Sequence, residues 1–356
     1  MRKFTSFTKI GQFRQTVSNI RHATQYKGID ANGTPMYDFN AKMPIITFKG
    51  TVKLHGTNAG VVQDAAGEMW FQSRKNIITP QKDNAGFAFF ANSNKEFFEN
   101  MIADIRIKEN LNNETIAVFG EWAGKGIQKG IAIAELDKMF VIFAVKVVVD
   151  AVEDDANYYL HEDKWNMYSD PDNRIFNIND FESYYVDIDF NNPDLSRNTM
   201  IEIMEAVEKE CPVGKAFGLK PGEHNTTGEG NVWQGWYNGN RYIFKVKGEK
   251  HSVSKVKKLA PVDVEKLNSI NEFVDYAVTE NRLNQAIEQV FTIESKIPTV
   301  KDTGDFIRWV INDIATEEAD TLVSNGLEPK DVNKKISGQC RNWFMNKLDE
   351  IAGLNG

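Results

Sequence analysis

Two cysteines in 356 residues, Cys211 and Cys340, stand far apart and form no metal-ligand spacing. Their scarcity excludes a disulfide framework and fits a reducing compartment. No run of eighteen apolar residues exists, so no segment is expected to span a membrane. The opening MRKFTSFTKI lacks a continuous apolar core and is not expected to act as a signal peptide. No internal repeat is visible. What remains is the composition of a soluble globular protein, 41% hydrophobic and 26% charged, with 23 Phe and seven Trp to build cores. At roughly 150 residues per domain the length suggests two domains.

The net charge of −8 argues against an indiscriminate polyanion binder, but its distribution is uneven. Arg2, Lys3, Lys9, Arg14, Arg21 and Lys27 make the first thirty residues basic. Arg241, Lys245, Lys247, Lys250, Lys255, Lys257 and Lys258 form a second basic run, interrupted by Glu249. Acid gathers between Asp150 and Asp194. This layout could hold a polyanion on one face and keep a solvated acidic face away from it.

Residues 1–42 read as irregular or short elements around Gly11 and a turn at residues 30–33. A β pattern runs from Pro44 to Arg74, helical period from Lys95 to Asn110, and apolar strands from Thr115 to Glu121 and Met139 to Val149. The acidic stretch reads as loops and short strands. Ser196 to Glu210 is expected to be a helix, and strands return at Asn231–Trp236 and Tyr242–Val246. Beyond Pro261, Val264, Leu267, Ile270, Phe273, Val274, Ala277 and Val278 keep helical spacing, and similar patterns continue to Ile351. The expectation is an α+β domain over residues 1–258 and a small all-helical domain over 259–356.

Five features in the first domain carry chemistry. Lys53-Leu54-His55-Gly56-Thr57-Asn58 places a lysine at a strand end beside a glycine, where a ligand can approach the backbone. Ser73-Arg74-Lys75 ends a strand. Phe119-Gly120-Glu121-Trp122 is followed by the aromatic strand Phe140-Val141-Ile142-Phe143. Glu229-Gly230-Asn231-Val232 and Phe244-Lys245-Val246-Lys247-Gly248 complete the set. Each alone is also an ordinary strand end, edge or core residue. Together they supply what covalent nucleotidyl transfer needs. A lysine attacks an α-phosphate only as a neutral amine, and Lys245 and Lys247, on one strand face, could both assist that and neutralise developing phosphate charge. Glu121 and Glu229 could bind ribose hydroxyls and the water shell of Mg²⁺. Phe143 offers a flat face for a purine, a stacking interaction of roughly 1–3 kcal/mol. Arg74 and Asn58 are candidates for phosphate contact.

In this order the features resemble the motifs of covalent nucleotidyltransferases, the group of DNA ligases, RNA ligases and messenger-RNA capping enzymes. Lys53 to Asn58 is similar to motif I, Arg74 to the following strand motif, Glu121 to motif III, Phe143 to motif IIIa, Glu229 to motif IV, and Lys245 with Lys247 to motif V. His55, where DNA ligases and capping enzymes carry aspartate, and the string from Phe119 to Lys129 are most similar to the RNA ligase 2 family. So is Tyr276 to Asn284, which resembles a helix of that family's C-terminal domain. Ala144 departs from the family, where an acid often stands, and the acidic stretch looks divergent.

The resemblance implies an ATP-grasp-like domain of antiparallel sheets with flanking helices, then a helical C-terminal domain. It implies an ATP-dependent RNA ligase acting with Mg²⁺ or Mn²⁺ on RNA carrying 3′-OH and 5′-phosphate ends, in a nicked duplex. The catalytic set would be Lys53, Glu229, Lys245 and Lys247. Nucleotide would meet Lys53, His55, Gly56, Asn58, Arg74, Glu121, Phe143, Glu229, Lys245 and Lys247, with metal at Glu121 and Glu229 through water. A cytoplasmic monomer, in a phage-infected host cell, is the accompanying expectation. The alternatives are a nick-sealing DNA ligase, a GTP-dependent capping enzyme, or a non-catalytic nucleic-acid-binding module.

Overall fold

The computed structural model describes residues 2–29, 31, 33, 35–38, 41–83, 85–149, 157–248, 270–292 and 297–353. Lys250, Lys255, Lys257 and Lys258, the acids from Asp150 to Asp155, Val264 and Leu267, and the expected boundary at 258/259 lie outside the described residues. Two compact units are present, Met1–Gly248 and Glu249–Gly356.

The first unit opens with helix α1 (Phe13–Gln25) and a hairpin of β1 (Tyr26–Ile29) and β2 (Pro35–Tyr37). The strands β3 (Ile45–Val52), β4 (Thr57–Gln63), β5 (Met69–Ser73) and β6 (Ile77–Ile78) follow. Helices α2 (Phe87–Ser93) and α3 (Lys95–Glu109) lead to β7 (Thr115–Ala123), β8 (Met139–Val148), β9 (Tyr158–Tyr159), β10 (Ile175–Asn177) and β11 (Ser183–Asp189). Helices α4 (Arg197–Lys209) and α5 (Pro212–Ala216) precede the closing hairpin of β12 (Gly230–Tyr237) and β13 (Asn240–Lys247).

These strands form two larger sheets. The first runs β10-β8-β7-β4-β5-β6 with β9 beside β8; the second runs β11-β3-β12-β13. The pairs that carry the expected motifs are antiparallel. The α2 and α3 aromatics Phe87 and Phe98 close one face of the first sheet, with ring centroids 4.9 and 5.9 Å from Phe140. In the second sheet, burial alternates along β3: Phe48 and Val52 are buried, whereas Lys49 and Thr51 are half-buried on the opposite side. α1 covers the buried side, with Phe13 5.1 Å from Phe244.

One expectation is corrected. Besides the irregular and short elements expected, the opening holds a 13-residue helix whose buried stripe is Phe13, Thr16 and Ile20. Three anchors among Gln, Asn, Ser and Thr give too weak an apolar period to announce it. The described part of the acidic stretch has the expected loops and short strands, the last of which, β11, pairs with β3 over its full length, from Ser183↔Thr51 to Asp189↔Ile45. Its acids sit on an edge strand with exposed positions at Tyr185 and Asp187, where charge is tolerated.

The second unit comprises, among the described residues, α6 (Ile270–Ala277), α7 (Glu280–Ile287), α8 (Thr303–Glu317), α9 (Ala319–Ser324) and α10 (Pro329–Gly353). Phe273, Phe306, Val310, Ile336, Cys340 and Phe344 form its core. The segment Tyr276–Asn284, expected within a single helix, straddles a break. Thr279 is extended (φ −102°, ψ 155°), and its hydroxyl accepts from the Arg282 backbone N–H to cap α7. That break lets the Arg282 side chain turn inward, fully buried, onto Asp313 at 2.8 Å and Glu318 at 3.1 Å.

Candidate active site

Residues 53–56 are the link by which the chain leaves one sheet and enters the other, since β3 ends at Val52 and β4 begins at Thr57. The Lys53 backbone N–H still donates to Gly230 O at 2.7 Å, which fixes the lysine beside the start of β12. Gly56 closes the link: a Cβ there would sit 2.3 Å from the carbonyl oxygen of Trp122, so no larger residue passes. The Gly56 N–H donates to Glu121 Oε1 at 3.0 Å, and Gln128 Nε2 donates to its carbonyl at 3.3 Å.

Glu229 is the hub. Its carboxylate is buried, accepts from Lys53 Nζ at 2.7 Å, lies 3.1 Å from His55 Nδ1, and meets Lys247 Nζ at 3.1 Å with its other oxygen. It reaches this position because Gly230 adopts φ +132°, where a Cβ would strike Val246 O at 2.2 Å. Burial raises the Glu229 pKa, but Lys53 and Lys247, with the His55 hydrogen bond, outweigh it and hold the carboxyl well below its ordinary value. Glu121 behaves in the opposite way. Burial pushes it up to about 7, against the opposing pull of Lys53 and the Gly56 N–H. One carboxylate therefore stays ionised while the other titrates near neutrality.

The structure brings Lys53, His55, Gly56, Glu121, Glu229 and Lys247 together in one network. The remaining expected residues line up around it. Asn58 pairs in register with Glu121, and the half-buried Lys245 lies two positions before Lys247 on the same strand face. Arg74 is exposed just beyond Ser73, which pairs with Ala59, so it stands at the Asn58 end of the sheet. Phe143 sits at a register shift between β7 and β8, half-buried, with its ring 5.1 Å edge-on from Phe7.

The arm that carries Phe7 was not expected to matter. Thr5 exchanges hydrogen bonds with the Gln72 side chain, and Thr8 N–H donates to the Tyr159 hydroxyl at 2.8 Å. Phe7 contacts Phe119, Phe143 and Tyr159. The half-buried Arg241 lies over Tyr159 at 4.6 Å and over Phe7 at 5.7 Å. Alternating Thr5 and Phe7 between polar neighbours was the only signal of this strand-like arm.

Among the described residues no group of three or more His, Cys, Asp or Glu side chains could enclose a metal ion. Carboxylate oxygens are the donors Mg²⁺ favours, and Glu121 and Glu229 supply such oxygens, those of Glu229 being engaged by Lys53, His55 and Lys247.

A buried carboxylate thus bridges a strand-end lysine and a second lysine from the far end of the first unit's sequence. The sequence model of the RNA ligase family matches residues 46–247, more than half of the chain, from the start of β3 to the end of β13. The chain belongs to the RNA ligase family. Among solved structures it is similar to the Naegleria gruberi RNA ligase, in a lysine variant with AMP and Mn, at 16% identity and a TM-score of 0.43. The match covers 70% of this chain and 57% of that one. The same ligase with pyrophosphate matches at 17% identity and a TM-score of 0.41, over 70% and 57% of the two chains. The chain thus spans a little under three-fifths of the length of these ligases.

Proposed function

We propose that this chain is an ATP-dependent RNA ligase of the RNA ligase 2 type that seals 3′-OH and 5′-phosphate ends through Lys53. The observation that carries this reading is the Lys53–Glu229–Lys247 bridge, in which a strand-end amine and a phosphate-neutralising cation share one buried carboxylate. In the first step the Lys53 amine forms a bond to the α-phosphorus of ATP and pyrophosphate departs. In the second, a 5′-phosphate oxygen takes the AMP and frees the lysine. In the third, a 3′-OH attacks that 5′-phosphorus and AMP leaves with the electron pair.

The residues divide this work. Glu229, held ionised, keeps Lys53 positioned, and the pair must open before attack. Lys247 and Lys245 lie where charge accumulates on the α-phosphate. Glu121 is assigned to the ribose, Asn58, paired with it in register, to phosphate contact, and Phe143 to the base. Arg74 stands exposed where a phosphate could reach it. A divalent cation, when bound, supplies Lewis-acid stabilisation of phosphate charge.

Nicked duplex RNA is the substrate proposed, supported by the basic opening of the chain. A cytoplasmic monomer is proposed with it: both cysteines are free and buried, as a reducing compartment allows. Among the described residues no helix is long and apolar enough to cross a membrane. The two units are proposed to be functional domains, the first for adenylation and the second for engaging RNA.

The test is incubation with α-labelled ATP and Mg²⁺, with GTP in parallel, and detection of label on denatured protein. Label from ATP is expected, and none in Lys53→Ala. Label retained by that variant overturns the nucleophile assignment, and label from GTP alone moves the reading to a capping enzyme.

A further inference from the structure

The first 29 residues contain no Asp or Glu, although the whole chain holds 50 acids. Their basic residues take no part in the lysine–glutamate network. α1 turns Phe13, Thr16 and Ile20 into the molecule and leaves Gln15, Ser18, Asn19 and His22 at i, i+3, i+4 and i+7 on its exposed side. This face is amide, hydroxyl and imidazole, with exposed Arg21 beside it.

The face continues into the β1–β2 hairpin, where it becomes aromatic. Six of the seven strand residues are exposed, and only Gly28 is half-buried. The His22 ring stacks on Tyr26 at 5.3 Å and 17°, and Tyr37 meets both rings edge-on at 5.5 and 5.7 Å. Lys27 is exposed beside them, with Asp38 at 4.0 Å. Ile29 and Met36 are exposed as well, at 60% and 44%. A two-stranded hairpin gains little stability alone, so an exposed aromatic ladder on one suits contact with something outside the chain. A protein partner would favour a larger apolar centre. Donor side chains, cations and flat rings suit phosphates and bases, with Asp38 at the margin the one described acid beside them.

We infer that the outer face of α1 and the β1–β2 hairpin form a second RNA-contact surface, which holds the polynucleotide away from the joined ends. This rests on the ligase reading above. Thr24 ties α1 to the Tyr237 hydroxyl, at the turn end of the β12–β13 hairpin. Lys247 lies at the other end of β13, seven residues from Asn240, or roughly 24 Å at about 3.4 Å per residue. The hairpin end of the surface therefore meets RNA several nucleotides from the lysine network, and only a substrate with a long enough flank reaches it.

The experiment compares the full chain with the double variant Arg21→Glu/Lys27→Glu and with Tyr26→Ala. Fluorescence anisotropy follows binding of a labelled nicked RNA duplex with long flanks, and of one trimmed to a few base pairs on each side. Lysine adenylation by ATP is measured on the same samples. The expected result is binding to the long duplex weakened about tenfold or more, with a shallower salt slope for the charge variant. Binding to the short duplex and adenylation should stay at wild-type values. Unchanged binding to the long duplex across salt overturns the surface and leaves the patch to a protein partner. Equal loss on both duplexes also overturns it, by placing the defect at the lysine network. Absence of adenylation in the wild-type chain would instead refute the ligase reading, and anisotropy would still decide the surface.

Discussion

Glu229 and Glu121 are both glutamates beside one lysine, yet their surroundings drive them apart. Replacing Glu229 with Gln preserves shape but leaves Lys53 and Lys247 half-buried without their shared counter-charge. The expected cost is about 1–3 kcal/mol of stability in denaturant titration, with adenylation lost. The pH dependence has two signs. Glu229, with its pKa lowered, contributes stability that is present above its ordinary value and lost as acid protonates it in the folded state. Glu121, raised from 4.5 to about 7, binds its proton more tightly when folded, so its contribution is full below pH 4.5 and fades as pH rises to about 7. Thermal melts from pH 5 to 8 should therefore show a falling component in the wild type that Glu121→Gln lacks. Parallel profiles for the two proteins would contradict this assignment. The identity of these residues was legible in the sequence, because Gly56, Gly120 and Gly230 flag where a backbone must come close to something. Their pairing was not: the sequence separation of 176 residues between Lys53 and Glu229 carries no local signal.

At the scale of elements, the β3–β4 link does what neither strand could do alone, by delivering Lys53 to one sheet and Gly56 to the other. Gly56→Ala meets backbone, not a flexible side chain, so the link must shift. The expected outcome is destabilisation of about 1–3 kcal/mol and a fall of at least an order of magnitude in adenylation, read by denaturation and by labelling. Strands with strong alternation or continuous apolar content, such as β7 and β8, were legible, as were α3 and α4. α1 was hidden because packing on Phe244, not propensity, holds it. The break at Thr279 was hidden because apolar spacing continues through it, and only the cap and the buried Arg282 reveal the turn.

For the whole molecule, the family match ends at residue 247, where the compact first unit also ends. A chain truncated near Pro261 retains every member of the lysine network. It is expected to keep lysine adenylation and lose most sealing of nicked RNA, measured by labelling and by gel assay of joined strands. Equal survival of both activities would remove the second unit from substrate engagement. The α+β then all-helical order was legible because the change from alternating to helical period is a global pattern. The arm that places Phe7 against Phe143 was not, because its anchors, Gln72 and Tyr159, lie far along the chain.

The β3–β12 pairing also sets a clock on synthesis. Val52 finds its partner Asn231 only after nearly the whole first unit has been made. At about 5–20 residues per second, roughly 10–40 seconds separate the two strands on the ribosome. Until β11 is made β3 has neither of its neighbours, and the edge that β12 covers stays bare until the last hairpin is made. The lysine network is therefore complete only once Glu229 and Lys247 have been added.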